Sequence, residues 1–425
     1  MKKRFILYCL PIFIVFSCQQ SEYDYDLLKS QLISENQKQA LALKKYINLH
    51  DYIKEESTSR SPHTSNRFPD YYGGAFINDE NELVVLLKEE EAATSEAINL
   101  KTSMESLKYQ LCEHSYNELK ELLDNITHKL STSDSIAQNI CMLGIDEMKN
   151  RVVIFTSGNI EESEMRFKHD IIDSPMLTFR QVDNSDFDVA IKKINNQERI
   201  QSPMRYSLPG EIKYGQQIII KTSDTTYSNA TLGYCVGRSL FNRMYLTAGH
   251  AGSVGDTVYN KWWEPIGIIT ESKYNESKVD AALITPFEDI VSYGKLANFD
   301  NLELSIDTLL PPVGYQVAVC GKGIEKKGRI YMHEINYRQN ITDSAGNVTS
   351  TWVRDAMLHY TLCTAGDSGG PVYCTGTRSF TSSSTTELLT TGIHKGIVKL
   401  LNDSTFSVCT KHRNIANAFN VFRLN

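Results

Sequence analysis

The 425-residue chain has no surplus of positive charge: 44 Lys and Arg stand against 51 Asp and Glu, a formal net charge of -7. That excludes the basic footprint of a nucleic-acid binder. It has no Walker-type glycine loop and no zinc-type cysteine–histidine spacing, so no cofactor or metal is expected. After its first residues it lacks any apolar run long enough to cross a membrane. Cysteine is sparse, at nine residues, which rules out a disulfide-dense scaffold. What remains, 41% hydrophobic and 22% charged, is the composition of a globular chain with room for two or three domains.

The first residues speak to compartment. Lys2, Lys3 and Arg4 precede "FILYCLPIFIVF", an apolar core of signal-peptide length. It ends at "VFSC", where Ser17 before Cys18 resembles a bacterial lipobox. The resemblance implies that residues 1–17 are a lipoprotein signal peptide and that Cys18 becomes the lipidated first residue. The alternative is an ordinary secretory signal with an incidental cysteine. No A-x-A-like cleavage site follows, and "QQSEYDYD" reads as a polar tether, which favours the lipoprotein. Gln19 brings no inner-membrane retention signal, so the expected location is the bacterial cell envelope, at the outer membrane. With Cys9 removed and Cys18 lipidated, Cys112, Cys141, Cys235, Cys320, Cys363, Cys374 and Cys409 remain, an odd number that leaves at least one unpaired within the chain.

The body of the chain has two textures. Asp26 to Glu56 reads as helix, and "STSRSPHTSNRFPD" as a linker, so residues 18–67 are expected to form a lipidated tether with a helix. "GGAFINDENELVVLL" carries a hairpin signal at Asn78–Asn81. A second helix is expected over roughly Ser95 to Leu130, from Leu107, Leu111, Leu119, Leu122, Leu123, Ile126 and Leu130. "IDEMKNRVVIFTS" reads as strands turning near Lys149–Asn150. Residues 68–200 are therefore an α+β domain with helices packed on small sheets. From about 203 to 425, short β-branched runs separated by Gly, Asn and Ser turns give an all-β texture, barrel or sandwich. Within it "TRSFTSSSTTELL" reads as a surface hairpin loop and "KHRNIANAFNVF" as a closing short helix. Between the halves, "KKINNQERIQSPMRYSLPGE" is polar, contains Pro203 and Pro209, and reads as an exposed linker open to cleavage within 195–210.

"LCTAGDSGGPVYC", residues 362–374, offers either a glycine-rich turn or a loop that exposes a nucleophilic Ser368. A serine nucleophile needs a base, and the base an orienting carboxylate. His250 closes the apolar strand "MYLTAGH", where small residues leave room for a ring facing a cleft. The other histidines of this half, His333, His359, His394 and His412, lack that setting. Asp280 lies inside the apolar run "VDAALIT", where an unpaired charge is costly. Asp256 and Asp289 are rivals, but both sit in turn-like surroundings.

His250 in "LTAGH", Asp280 in "DAALI" and Ser368 in "GDSGGP", in that order on an all-β stretch, resemble the chymotrypsin-like serine proteases. The short gaps between them are similar to the compact bacterial streptogrisin and alpha-lytic type. "YYGGAFINDENELVVLL" and "IDEMKNRVVIFTS" look like the strand pairs of that group's pro-regions, so the likeness covers most of residues 68–425. The resemblance implies a pair of six-stranded antiparallel barrels behind a pro-like domain. It also implies a Ser368–His250–Asp280 triad, and an oxyanion hole from the Gly366 and Ser368 amides. Protein or peptide substrates and a monomeric enzyme follow from it, with membrane attachment only through the lipid.

Departures are visible too. Ala251 replaces the family's cysteine after the histidine, so Cys235 loses the partner the resemblance gives it. Lys327 stands near a second expected cysteine after Cys320, and Cys374 follows Cys363 closely. No activating I-V-G-G sequence is present; by the resemblance an internal basic residue would pair with Asp367. "TTGIHKGIV" matches the primary-specificity segment. His394 and Lys395 there suit acidic substrate side chains; equally, His394 is a satisfied core residue. A rival from another class is a surface binding protein on an inactive protease scaffold. An α/β-hydrolase esterase fails on the order of its residues.

Overall fold

The computed structural model describes residues 35–53, 68–88, 107–132, 139–182, 193–195, 211–223, 226–276, 278–288, 290, 292–297, 303–342, 348–380, 383–399 and 405–424. The signal segment, Cys18, Asp289 and almost all of the linker between the two halves lie outside them.

The N-terminal half begins with helix α1 (residues 35–53), whose Leu43, Leu49 and Ile53 are buried in the domain core. Strands β1 (Tyr72–Ile77) and β2 (Leu83–Lys88) form the hairpin, turning through Asn81 at φ 64°. Asn81 also accepts a hydrogen bond from Gln39 of α1 at 2.8 Å. The helix thus packs as part of this domain, although its sequence groups it with the tether.

The long helix expected from Ser95 to Leu130 is shorter. Residues Lys108–Cys112 are a strand, β3, which pairs in parallel with β2. Helix α2 starts only at Tyr116 and runs to Thr132. Leu107 and Leu111 share the four-residue spacing of a helix, which is why they read as one. Leu111 is 55% exposed on the edge strand, and burial there follows no helical face. The true start is a reciprocal cap: Ser115 N donates to Glu118 Oε2 at 2.6 Å, and Glu118 N to Ser115 Oγ at 3.2 Å.

Strands β4 (Ile140–Asp146) and β5 (Arg151–Ser157) turn through a short 3-10 segment, with Asn150 at φ 53°. Helix α3 (Ile160–Asp170), capped by Asn159, leads to β6 (Leu177–Val182), parallel to β5. A short strand β7 (Lys193–Asn195) follows.

The C-terminal half is two antiparallel barrels. The first uses β8 (Gln217–Lys221), β9 (Thr226–Thr231), β10 (Cys235–Gly237), β11 (Arg243–Thr247), β12 (Thr257–Asn260), β13 (Pro265–Glu276) and β14 (Val279–Pro286). The strands run β10-β11-β14-β13-β12-β8-β9. β9 and β10 act as one bent strand, because Gly233 N bonds Leu246 O at 2.6 Å and Leu246 N bonds Tyr234 O at 3.1 Å between them. That continuity closes a ring of six strand positions. Ile218, Ile220, Leu246, Val258 and Leu283 fill it.

Strand β15 (Leu304–Thr308) leads into the second barrel: β16 (Gln316–Gly321), β17 (Ile324–Thr342), β18 (Val348–His359), β19 (Pro371–Phe380), β20 (Ser383–Lys399) and β21 (Thr405–Lys411). Their order is β16-β19-β20-β21-β18-β17, and β17 pairs back onto β16, closing six strands. The polar stretch after Gly376 extends the β19–β20 hairpin. Helix α4 (His412–Phe419) and β22 (Phe422–Arg423) return the chain to β10. The double-barrel expectation holds, as does the α+β domain before it.

The N-terminal half joins the second barrel through backbone. β4 pairs with β17 at Gly144↔Ile335, Leu143↔Asn336 and Met142↔Tyr337. The apolar core is shared as well: Val317, Val319 and Ile330 of the barrel lie in one cluster with Leu119, Leu123 and Val152. Polar side chains also meet across the same boundary. Glu147 Oε1 lies 3.0 Å from His333 Nδ1, and Lys120 pairs with Glu334.

Candidate active site

Strand β11 ends at Thr247 and the chain turns through Gly249–Ala251 in one 3-10 turn. A Cβ at Gly249 would stand 2.8 Å from Lys273 O and 3.0 Å from Ala281 N, so only glycine lets this turn approach β13 and β14. The close approach brings His250 onto Asp280. His250 Nδ1 lies 2.8 Å from Asp280 Oδ2, and the His250 amide donates to Asp280 Oδ1 at 3.0 Å. Both carboxylate oxygens are therefore engaged, and the carboxylate is fully buried. Burial alone would raise the Asp280 carboxyl; the charges of His250 and Lys395 outweigh it and hold the group at about 2.

Ser368 sits on the loop before β19, 7% exposed. The loop is built on Asp367, whose Oδ2 accepts from Thr364 N at 2.6 Å and Thr364 Oγ1 at 3.1 Å. Lys326 pairs with the same carboxylate, and Lys322 Nζ lies 3.9 Å away. Gly366 and Gly369 take φ 89° and 92°, conformations that favour glycine. Among the described residues the Gly366 and Ser368 amides have no protein acceptor, so this turn offers two free N–H donors.

The loop is fastened to the first barrel beside His250. Thr231 N donates to Ser368 O at 2.8 Å, and a Cβ on Gly369 would lie 2.4 Å from Thr247 Oγ1 and 2.8 Å from Ala248 N. Ser368 Oγ donates to Lys395 O at 2.9 Å. In this resting arrangement the hydroxyl is held by the β20 carbonyl, and a change of χ1 rotamer is what would present it elsewhere.

The segment predicted to line a specificity pocket divides. His394 N donates to Gly370 O at 2.8 Å, and its ring lies 6.4 Å from that of His359. Its Nδ1 has no partner among the described residues. Burial pushes the His394 imidazole down to about 4. Lys395, grouped with it by sequence, leads to different neighbours. Its Nζ lies 3.3 Å from Asp280 Oδ2 and 2.5 Å from Gln339 Oε1. Lys395 falls where the β20–β21 register shifts between His394 and Gly396, an irregularity that re-aims a side chain and that the sequence did not signal.

The remaining sequence candidates have other partners. Asp256 caps a turn, accepting Ser253 N at 2.7 Å. His333 faces Glu147, His359 Nδ1 meets Thr361 Oγ1 at 2.7 Å, and His412 Nδ1 meets Tyr234 Oη at 2.9 Å. No disulfide joins the seven described cysteines to one another. Burial raises the thiols of Cys235 to about 11 and of Cys363 and Cys374 to about 12, which keeps them protonated. The residue sequence reading left unnamed is Lys326, the partner of Asp367. Its signal was the basic cluster in "GKGIEKKG" on the neighbouring hairpin.

Chemically, a buried carboxylate holds one imidazole nitrogen as a donor and leaves the other to take a proton. The Ser368 hydroxyl is bonded to Lys395 O and not to that imidazole, and its loop carries two free amides. That arrangement suits nucleophilic attack on a carbonyl with stabilisation of an oxyanion.

Two family models match the chain: a Pro-like N-terminal domain over residues 29–112 and a Pro-like C-terminal domain over residues 117–182. No curated protein matches it. Among solved structures, it is similar to chymotrypsin from Cellulomonas bogoriensis at 18% identity and TM-score 0.37, covering 51% of this chain and 99% of that one. Protease A from Thermobifida fusca gives 16% and 0.37, over 51% and 100%. Nocardiopsis protease gives 17% and 0.38, over 51% and 100%.

Proposed function

We propose that this chain is a serine endopeptidase preceded by a pro-region. The observation that carries the reading is the buried Asp280–His250 pair, with Ser368 and two free amides fastened beside it. Ser368 attacks the scissile carbonyl as His250 takes its proton, and His250 then protonates the leaving amine. Asp280 fixes the imidazole tautomer and stabilises the imidazolium. The Gly366 and Ser368 amides receive the oxyanion, each supplying about 3 kcal/mol of barrier reduction. Asp367, held by Lys326, keeps that loop in shape without a newly cut N-terminus.

His394 is proposed to meet acidic substrate side chains, through its unpartnered ring nitrogen. Residues 1–17 are proposed as a lipoprotein signal and Cys18 as the anchor. In this reading the enzyme works on the cell envelope, at the outer membrane, on protein or peptide substrates and as a monomer. Cleavage within residues 195–210 would free the barrels, residues 203–425, from residues 68–200.

The test is hydrolysis of casein. Ser368→Ala and His250→Ala should each abolish it in folded protein, and the double variant should lose little more than either single. Turnover by Ser368→Ala would overturn the assignment. Anchoring is checked separately: Cys18→Ala should leave the membrane fraction or remain unprocessed, and a normally processed, membrane-bound variant contradicts it.

A further inference from the structure

The ammonium of Lys395 is a charged feature of the site that the proposed chemistry does not use. It is 3% exposed, and it lies on β20 with its carbonyl on Ser368 Oγ and its Nζ 3.3 Å from Asp280 Oδ2. Gln339 Oε1 accepts from it at 2.5 Å, and the Tyr337 ring centroid lies 4.6 Å away. A buried lysine needs a charge partner, and Asp280 is the carboxylate in reach. One carboxylate thus faces an imidazole and an ammonium, with Oδ2 near both His250 Nδ1 and Lys395 Nζ.

We propose that Lys395 is a positioning residue that tunes the His250–Asp280 pair, sharing the Asp280 charge so that His250 works as a base at lower pH than it would beside an unshared carboxylate. The proposal rests on the serine-protease reading above. The sign follows from Coulomb's law. A carboxylate stabilises the imidazolium, and a fixed cation behind that carboxylate opposes it. Neutralising Lys395 therefore makes His250 harder to deprotonate.

The other groups facing this pair leave the sign intact. The Tyr274 ring of β13 lies tilted 5.7 Å from that of His250 and 5.8 Å from the Lys395 ammonium, and burial raises its phenol to about 12, so it is neutral. Tyr337 of β17 is likewise raised by burial. His394, on β20, is held neutral by burial above pH about 4. Lys273 of β13 directs its ammonium to the Phe419 ring, 5.6 Å from its centroid. Asp367 is engaged with Lys326 and Lys322.

The experiment compares the full chain with Lys395→Met, which keeps the length and loses the charge. The first readout is the pH dependence of inactivation by a fluorophosphonate, which needs Ser368 and His250 but no peptide in the cleft. The acid limb should move to higher pH by about one unit in Lys395→Met, and Lys395→Arg should restore part of the wild-type position. An unmoved limb with a lowered plateau would overturn the proposal, because a merely structural lysine lowers rate without shifting pH dependence. A second readout needs no activity: imidazole titration of His250 by NMR in the Ser368→Ala background, with and without Lys395→Met. A rise on removing the lysine supports the proposal even if the wild type labels with no fluorophosphonate, an outcome that would sink the protease reading instead. Should neither Lys395 variant fold, 15N NMR of the Lys395 amine in wild type decides. A charged amine near neutral pH supports the assignment, and a neutral one contradicts it.

Discussion

The two barrels contribute different things to the candidate site and meet the N-terminal half differently. The first barrel supplies His250 and Asp280 from neighbouring strands, and its core cluster includes Ala318, Cys320, Tyr373 and Ile393 of the second barrel but no residue of the N-terminal half. Among the described residues its one backbone pairing to the N-terminal half is the three-residue β7 on β9. The second barrel supplies Ser368 and Lys395. It shares both a sheet and an apolar cluster with the N-terminal half through β4 on β17. The half of the site carried by His250 and Asp280 belongs to a cluster without N-terminal residues, and the half carried by Ser368 and Lys395 belongs to the barrel that β4 braces. Such a brace would suit the proposed pro-region, because β16 on β19 and β18 on β21 pair residues far apart in sequence, and non-local pairings form slowly.

The largest break in the comparison comes from removing the brace. Residues 203–425 expressed alone should give little active enzyme, with activity recovered when residues 19–202 are added in trans, as casein hydrolysis would measure. Efficient folding of the isolated barrels, with activity equal to the full chain, would make the N-terminal half a permanent accessory domain.

A finer cut goes through one residue. A Cβ at Gly144 would lie 2.8 Å from both Glu334 O and Ile335 Cγ2 at the β4–β17 seam. Gly144→Val should weaken docking by about 1–3 kcal/mol and raise hydrogen exchange at 335–337, while leaving exchange in the first barrel unchanged. Equal loosening of both barrels would erase the distinction.

A last effect, confined to acid pH, is on stability. Burial holds His394 of the second barrel and His412, packed against Tyr234 of the first, at about 4. Unfolded imidazoles bind protons near pH 6.5, so the unfolded state holds the extra protons between the two values. Stability therefore falls as pH drops from about 6.5 through about 4, on the order of 3 kcal/mol per histidine at the limit. His412→Gln, which can still bond Tyr234, should flatten the slope of Tm over that window; an unchanged slope would remove His412 from the account.

What the sequence made legible follows from how local each signal is. The hairpins at Asn81 and Asn150 carry left-handed turn residues, and the β-branched runs after residue 203 alternate with turn chemistry, so strands could be read there. Small residues before His250 and a lone charge within "VDAALIT" mark close approach and burial, and both are local. The helix start at Tyr116 was legible too, in the Ser115–Glu118 box, but Leu107 and Leu111 carried the stronger period. Two things were out of reach. The seam between β4 and β17 joins residues nearly two hundred apart, and no local pattern names an edge strand's partner. The Asp280–Lys395 contact is remote too, set by the meeting of two barrels.

The central claim is that Ser368 is a nucleophile activated by His250 and Asp280. Its most direct test is stoichiometric labelling by a fluorophosphonate, followed by mass mapping of the modified residue. The account predicts one label per chain, on Ser368, lost in Ser368→Ala and strongly slowed in His250→Ala. Labelling that persists in Ser368→Ala, or a folded, processed wild type that takes up none, would contradict it.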